Sequence, residues 1–170
     1  MSTLAQNSAL PASRFQAQLR FNSITAIAAA TAAAAAGASL GLGLPVWAMF
    51  IGWIAFFSTG HTIRTGLASY AGVLIGIALG MGAAIVIATL GPSLGKLALP
   101  TVVFVVAMLV VSLRAAPVMN NVLAYFLGLV SFFAAHLEPS LETGVRLGGA
   151  SAIGSVAAWA SLQMQQRLKA

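Results

Sequence analysis

Residues 45–61 read PVWAMFIGWIAFFSTGH, and a weaker copy, VLAYFLGLVSFFAAH, occupies residues 122–136. When the first copy is shifted by 76 positions, so that residue 52 falls on residue 128, five identical residues align: Ala48 with Ala124, Phe50 with Phe126, Gly52 with Gly128, Phe56 with Phe132 and Phe57 with Phe133. One deletion then brings His61 over His136. Short, glycine-interrupted apolar segments at matching places in the two halves of a membrane chain are the usual sequence signal of a translocation site. The two copies therefore predict a membrane protein with an internal repeat.

The composition also places the chain in a membrane. Hydrophobic residues make up 60% of it and charged residues 6%, whereas a soluble domain has about 25% charged residues. The net charge of +6 comes from scattered single Lys and Arg residues, so they form no patch that fits a nucleic acid. Cysteine is absent, which excludes disulfides, thiolate metal sites and thiol nucleophiles.

Six apolar segments predict an all-α protein with one transmembrane domain of six helices over residues 21–162. The predicted spans are residues 21–40, 44–59, 67–90, 97–113, 122–135 and 145–162. Polar tails, residues 1–20 and 163–170, flank this domain, and residues 91–96 are predicted to be a turn. Arg14 and Arg20 before an apolar run also resemble a secretory signal, but the run is long enough to span a bilayer.

The two halves of this domain, residues 21–90 and 97–162, are predicted to form a 3+3 inverted repeat. Thr65 and Gly66 open the third span as Thr143 and Gly144 open the sixth, at nearly the offset of the two copies. A unit with three spans inserts upside down when it is used a second time. The expected result is a pseudo-two-fold axis in the membrane plane.

The distribution of basic residues predicts the orientation. With six spans, one side of the membrane receives Arg14, Arg20, Arg64, Arg114, Arg167 and Lys169, and the other side receives Lys96 and Arg146. Because cytoplasmic segments carry the excess of Lys and Arg, both termini are expected in the cytoplasm.

The run LPVWAMFIGWIAFFSTG, followed by a glycine-rich span, resembles the small bacterial inner-membrane proteins grouped as domain of unknown function 1097. The resemblance covers most of the chain after the N-terminal tail and implies a multi-pass protein of the bacterial inner membrane. The family supplies no substrate. In architecture alone, two halves of three spans are also similar to the bacterial urea and amide channels, an analogy of fold.

The aromatic residues of the two copies are candidate pore-lining residues: Trp47, Phe50, Trp53, Phe57, Phe126 and Phe133. Aromatic rings at a constriction pass small neutral solutes but force ions to shed their water. The alternative is that Trp47 anchors its helix at the membrane interface and that the phenyl rings only pack.

His61 and His136 end the two copies, and the side chains that offer hydrogen bonds near the mouths of the path are Ser58, Thr59, Ser131, Asn120 and Asn121. As a functional set, these residues form the mouths of the path, and the two histidines gate it near neutral pH. The alternative is that both histidines only mark where a helix leaves the lipid. Lying on opposite membrane faces, they cannot share a metal ion, so no metal site is predicted.

Glycines recur four residues apart in the third and sixth spans: Gly72, Gly76, Gly80, Gly144 and Gly148. Small residues at this spacing let two helices approach closely, within one chain or between copies. Together with the large lipid-facing surface of a small bundle, they predict a symmetric homo-oligomer in the lipid bilayer.

No Asp, Glu or Lys lies at mid-bilayer in the predicted spans. Proton- or substrate-coupled pumps normally keep a carboxylate there, and enzymes with paired carboxylates need one, so both classes are disfavoured and no cofactor is expected. Sodium coupling through backbone carbonyls at a broken helix stays open. The sequence predicts a passive channel or facilitator for a small neutral solute of the urea or ammonia type. The alternative is a non-conducting membrane assembly or regulatory partner protein.

Overall fold

The computed structural model describes residues 10–59 and 61–168, with the backbone alone for residues 10–13. Within these residues all regular structure is helical and no strand occurs, which confirms the predicted all-α class. The helices are α1 (Leu10–Gly41), α2 (Val46–Phe57), α3 (Ile63–Leu94), α4 (Ala98–Ser112), α5 (Val122–Ala135) and α6 (Leu141–Arg167). Single 3-10 turns, Gly95–Leu97 and Leu113–Ala115, follow α3 and α4.

The two copies of the repeated segment form the two shortest α-helices, α2 and α5. Helix α2 has 12 residues and α5 has 14, whereas α1 and α3 each have 32. At about 1.5 Å per residue, the two short helices are roughly 18 and 21 Å long, less than a hydrocarbon core of about 30 Å. The stretches Arg14–Gly41 and Ile63–Ala115 are long and apolar enough to cross a membrane, which favours membrane association.

Helix α5 has the predicted bounds, but α1 and α6 extend into the segments predicted as tails. Within the described residues helix α1 runs from Leu10, because the Ala, Gln and Arg residues before the apolar span favour helix. Helix α6 continues to Arg167 through Gln and Met residues, which are also good helix formers. Lys169, the last basic residue of the predicted cytoplasmic side, lies outside the described residues.

The turn predicted over residues 91–96 is shorter in the structure. Helix α3 continues to Leu94 and contains Pro92 in its last turn. The chain leaves the helix at Gly95, whose φ of +52° is a backbone conformation that residues with a Cβ rarely adopt.

The main contacts of the two short helices join one predicted half of the chain to the other. Helix α2 packs mainly against α6, and α5 packs mainly against α3, while α1 lies on α6 and α4 on α3. The buried side chains where α2, α3, α5 and α6 meet form a cluster, which we call the central junction: Ala48, Ala55, Val73, Ile77, Ala124, Phe132, Leu147 and Ala150. The core of the protein therefore lies between helices that come from both halves.

Candidate functional site: the central junction and its two ends

Helices α2 and α6 cross at a backbone contact. A Cβ atom added at Gly52 would overlap with the carbonyl oxygen of Ser151, and one added at Gly154 would overlap with that of Met49. The Ser151 hydroxyl also donates a hydrogen bond of 3.0 Å to the carbonyl oxygen of Ala48. Only glycine permits this approach, so the crossing holds the two helices closely together.

Helices α3 and α5 cross in the same way. A Cβ atom at Gly76 would overlap with the carbonyl oxygen of Tyr125, and one at Gly128 would overlap with that of Val73. The two crossings use equivalent positions of the repeat, since Gly52 aligns with Gly128 in the two copies. Each half therefore supplies one short helix and one glycine-bearing long helix to the pair of crossings.

The glycines that the sequence singled out all have neighbours in the same chain. Gly72 lies against the Cβ atom of Ala124 and Gly80 against Phe132, so the glycine ridge of α3 faces α5. Gly144 lies near Met81, and Gly148 lies near Leu74. Sequence reasoning did not single out Gly154, because its spacing from Gly148 departs from the four-residue pattern that drew attention to the others.

A network of polar side chains, which we call the polar cluster, lies at one end of the central junction: Ser58, Thr59, Ser69 and Asn121. The side-chain nitrogen of Asn121 donates to the hydroxyl oxygens of Ser58, at 2.7 Å, and of Ser69, at 2.9 Å. The hydroxyls of Thr59 and Ser69 are 3.0 Å apart. Asn120, the other predicted mouth residue of this segment, is exposed and lies outside the polar cluster.

Asn121 stands at the N-cap position of α5, yet its side chain makes no capping bond there and reaches α2 and α3 instead. This contact brings the C-terminal end of α2 next to the N-terminal end of α5, so the two short helices run antiparallel. Ser69 was missed in the sequence. Its only signal was a small polar residue within an apolar span.

The opposite end of the central junction has an apolar cleft of about 360 Å³. Its lining includes Pro45, Ala134, Ala135 and Leu147, with Arg146 at the rim. The Arg146 guanidinium donates to the carbonyl oxygen of Gly43 at 3.2 Å and lies 4.0 Å from the Glu142 carboxylate.

The repeat relates the two ends to one another. Under its shifts of 76 and 78 positions, Pro45, Ala134 and Leu147 of the apolar cleft correspond to Asn121, Ser58 and Ser69 of the polar cluster. The two ends therefore have equivalent backbone positions but opposite chemistry.

Side chains fill the space between the polar cluster and the apolar cleft. Ala48 and Ala55 on α2, and Ala124 and Ser131 on α5, are all fully buried. The central junction is therefore closed in this conformation. Small residues, Ala48, Ala55, Ala124 and Ser131, occupy much of the facing surfaces of α2 and α5.

Of the predicted pore-lining residues, Trp47 lines the apolar cleft, whereas the other five line neither the apolar cleft nor the polar cluster. Trp47, Phe50 and Phe133 expose 39%, 40% and 41% of their surface, and Trp53, Phe57 and Phe126 are half-buried. The ring contacts in the described part of the chain join neighbours, such as Trp53 with Phe57, and none joins α2 to α5. The structure does not bring these six residues around one opening, and their role stays a prediction.

The two histidines lie at opposite ends of the bundle, because each follows the C-terminal end of one antiparallel short helix. Both are exposed, and their φ angles are +57° for His61 and +51° for His136. Few residues other than glycine adopt such angles, so both mark sharp exits from a helix. Their role as gates stays a prediction. Across residues 10–59 and 61–168, no three potential metal ligands come together.

The comparisons with known proteins agree with the resemblance seen in the sequence. The family described as "Protein of unknown function (DUF1097)" matches residues 24–166, which is nearly the whole chain. The protein belongs to this family. Neither the curated proteins nor the solved structures compared with the chain gave a match.

Proposed function

We propose that this member of the DUF1097 family is a passive channel or facilitator for a small neutral solute of the urea or ammonia type. In this proposal the solute passes through the central junction between α2 and α5. One observation carries it: two short antiparallel helices meet in the core, with a hydrogen-bonding cluster at one end of the junction and a cleft at the other. The protein would cross the bacterial inner membrane six times, with both termini in the cytoplasm.

Equivalent contacts support an inverted repeat. The α2–α6 crossing and the α5–α3 crossing use glycines at corresponding positions, and α2 runs antiparallel to α5. The Tyr70 hydroxyl donates to the carbonyl oxygen of Gly148 at 3.1 Å, and these two positions differ by 78, the shift of the repeat. A contact between equivalent positions is expected where a pseudo-two-fold axis passes, which supports an axis between α3 and α6.

The chemistry of the path favours neutral solutes. The central junction is made of alkyl and phenyl side chains, and the polar cluster at its mouth contributes hydroxyls and an amide without charge. An ion would lose its hydration there without receiving a counter-charge, which is costly in a membrane interior. A small molecule with donors and acceptors can exchange its water for the polar cluster.

The packing supports one way in which the proposed path would open. The closest backbone contacts hold α2 to α6 and α5 to α3, whereas three of the four residues that α2 and α5 contribute to the central junction are alanines. We therefore expect two rigid helix pairs that move relative to each other, so that α2 separates from α5 while both crossings stay intact. This is the rocking of one unit against another that repeat transporters use.

The test is solute flux through proteoliposomes, measured by vesicle swelling with urea, ammonia, glycerol and water. The variant Ser58→Cys/Asn121→Cys places two thiols on residues whose side chains are hydrogen-bonded to each other in the native protein, and the natural chain has no cysteine that would interfere. Oxidation ties α2 to α5, so we expect flux to fall to the level of empty vesicles and to recover on reduction. Phe104→Ala, an exposed position on α4, is the matched control and should conduct like wild type.

Two results would contradict the proposal. Folded wild-type protein that passes every solute at the rate of empty vesicles would exclude a channel. An oxidised variant whose cross-link is verified by mass spectrometry and that still conducts like wild type would place the path elsewhere.

The exposed aromatic faces support a second candidate, a non-conducting membrane assembly or regulatory partner. Trp47 and Phe50 on α2, and Phe133 on α5, leave about two fifths of their surface exposed, which a second copy or another membrane protein can cover. This candidate predicts an oligomer, detectable by native mass spectrometry, and a flux equal to that of empty vesicles.

A further inference from the structure

We infer that the Ser131 hydroxyl is a hydrogen-bonding station for the solute inside the protein, between the polar cluster and the apolar cleft. This inference rests on the proposed function and adds a residue to its path. The solute class that fits is a small neutral molecule that carries both a hydrogen-bond donor and an acceptor.

The first argument is the state of the hydroxyl. Ser131 is 0% exposed, and its Oγ atom has no hydrogen-bond partner. Buried polar groups are nearly always hydrogen-bonded, because an unpaired one keeps the cost of losing its water. Within the described residues, Ser39 is the one other buried side chain in this state.

The second argument is the contrast with the other helical hydroxyls. Thr31, Thr89 and Ser112 each donate to the carbonyl oxygen one turn earlier, which is the usual solution for such residues in an apolar helix. Ser151 donates across the α2–α6 crossing instead. Ser131 uses neither solution, so its hydroxyl remains available to a molecule that enters the core.

The third argument is the position of Ser131 on α5. Residues three and four apart on a helix lie side by side, and the residues that follow Ser131 at these spacings, Ala134 and Ala135, both line the apolar cleft. Ser131 therefore lies one turn deeper than the lining of the cleft. Asn121 of the polar cluster is ten residues away, roughly 15 Å along the helix.

The repeat shows that the hydroxyl is not needed for packing. The equivalent of Ser131 on α2 is Ala55, which is also fully buried in the central junction. A methyl group is sufficient at that position, so the fold does not require an oxygen atom at Ser131. A hydrogen-bonding role for the solute explains why one of the two equivalent positions carries a hydroxyl.

Accessibility of the position is tested by thiol labelling. Ser131→Cys introduces the only thiol of the chain, and methyl methanethiosulfonate is a small neutral probe. We expect the thiol to react in the folded protein and urea to slow the reaction. Ser161→Cys, an equally buried position whose native hydroxyl has a partner, should stay unreactive, and the exposed Ser112→Cys should react freely. A Ser131→Cys thiol as unreactive as that of Ser161→Cys would overturn the inference.

Flux separates this inference from the proposed function. With Ser131→Ala we expect urea flux to fall roughly 3- to 10-fold, as the loss of one hydrogen bond predicts, while Ser112→Ala conducts like wild type. If wild type conducts and Ser131→Ala conducts equally well, the inference fails and the channel stands. If wild type itself matches empty vesicles, the proposed function fails, and with it the role of Ser131.

Discussion

Gly52 provides the sharpest test of the packing that organises the molecule. In Gly52→Ala the new methyl group overlaps with the carbonyl oxygen of Ser151, so α2 and α6 must separate. Overpacking of this kind costs about 1–3 kcal/mol. The same movement weakens the hydrogen bonds of Ser151 and Ser155 to α2, each worth about 0.6 kcal/mol in a membrane protein. Alanine recovers about 1 kcal/mol through its higher helix propensity, which leaves a net loss of about 1–3 kcal/mol in the free energy of unfolding.

The measurement is unfolding by SDS in mild detergent micelles, followed by far-UV circular dichroism. Gly82→Ala on α3 is the matched control, because a Cβ atom there meets no described atom within 4 Å, and we expect its stability to be unchanged or higher. Gly128→Ala, the equivalent of Gly52 in the second crossing, should lose a similar amount against the carbonyl oxygen of Val73. Equal stability of Gly52→Ala and Gly82→Ala would refute the close crossing of α2 and α6.

Two further predictions concern orientation and the polar cluster. Reporter fusions after Arg114 should read cytoplasmic and those after Lys96 external, because of the distribution of basic residues, and a cytoplasmic reading at Lys96 would exclude the six-span topology. Asn121→Leu removes the donor shared by Ser58 and Ser69 and should lower the free energy of unfolding by about 1–3 kcal/mol. The matched control, Asn120→Leu at an exposed position, should leave the free energy of unfolding unchanged. Equal values for the two variants in the same SDS titration would mean that the polar cluster contributes nothing to stability.

The helices themselves were readable from the sequence, because hydropathy and helix propensity are local properties. Helix α5 has the predicted bounds, and α2 is shorter than predicted by a few residues. The ends of α1 and α6 were not readable in this way. Hydropathy marks the apolar part of a helix, while Gln and Arg residues continue the helical backbone beyond it.

Which helices pack against each other could not be predicted from the sequence, since this depends on which distant segments of the chain meet. The glycine ridge of α3 predicted a close contact, but only the folded chain shows that α5 is the partner. The aromatic face of α2 illustrates a related difficulty. Lipid is as apolar as the protein core, so an apolar face in a membrane helix can point to either, and helical spacing does not distinguish Phe50 at the surface from Met49 in the core.

The difference between the two ends of the central junction has a consequence for a passive path. Asn121, Ser58 and Ser69 can replace the water of a solute at one end, whereas Pro45, Ala134 and Leu147 cannot do so at the other. In the proposed topology Arg64 lies in the cytoplasm, so the polar cluster at the end of α2 faces that side.

A passive path obeys detailed balance, so this asymmetry cannot drive net transport. It can only change how strongly the solute is held at each end and how fast it enters from each side. Ser131 then has a defined energetic role. In the proposal its hydroxyl, which is buried without a partner, lowers the barrier for a solute that has left the polar cluster and must cross alkyl side chains before it meets water again.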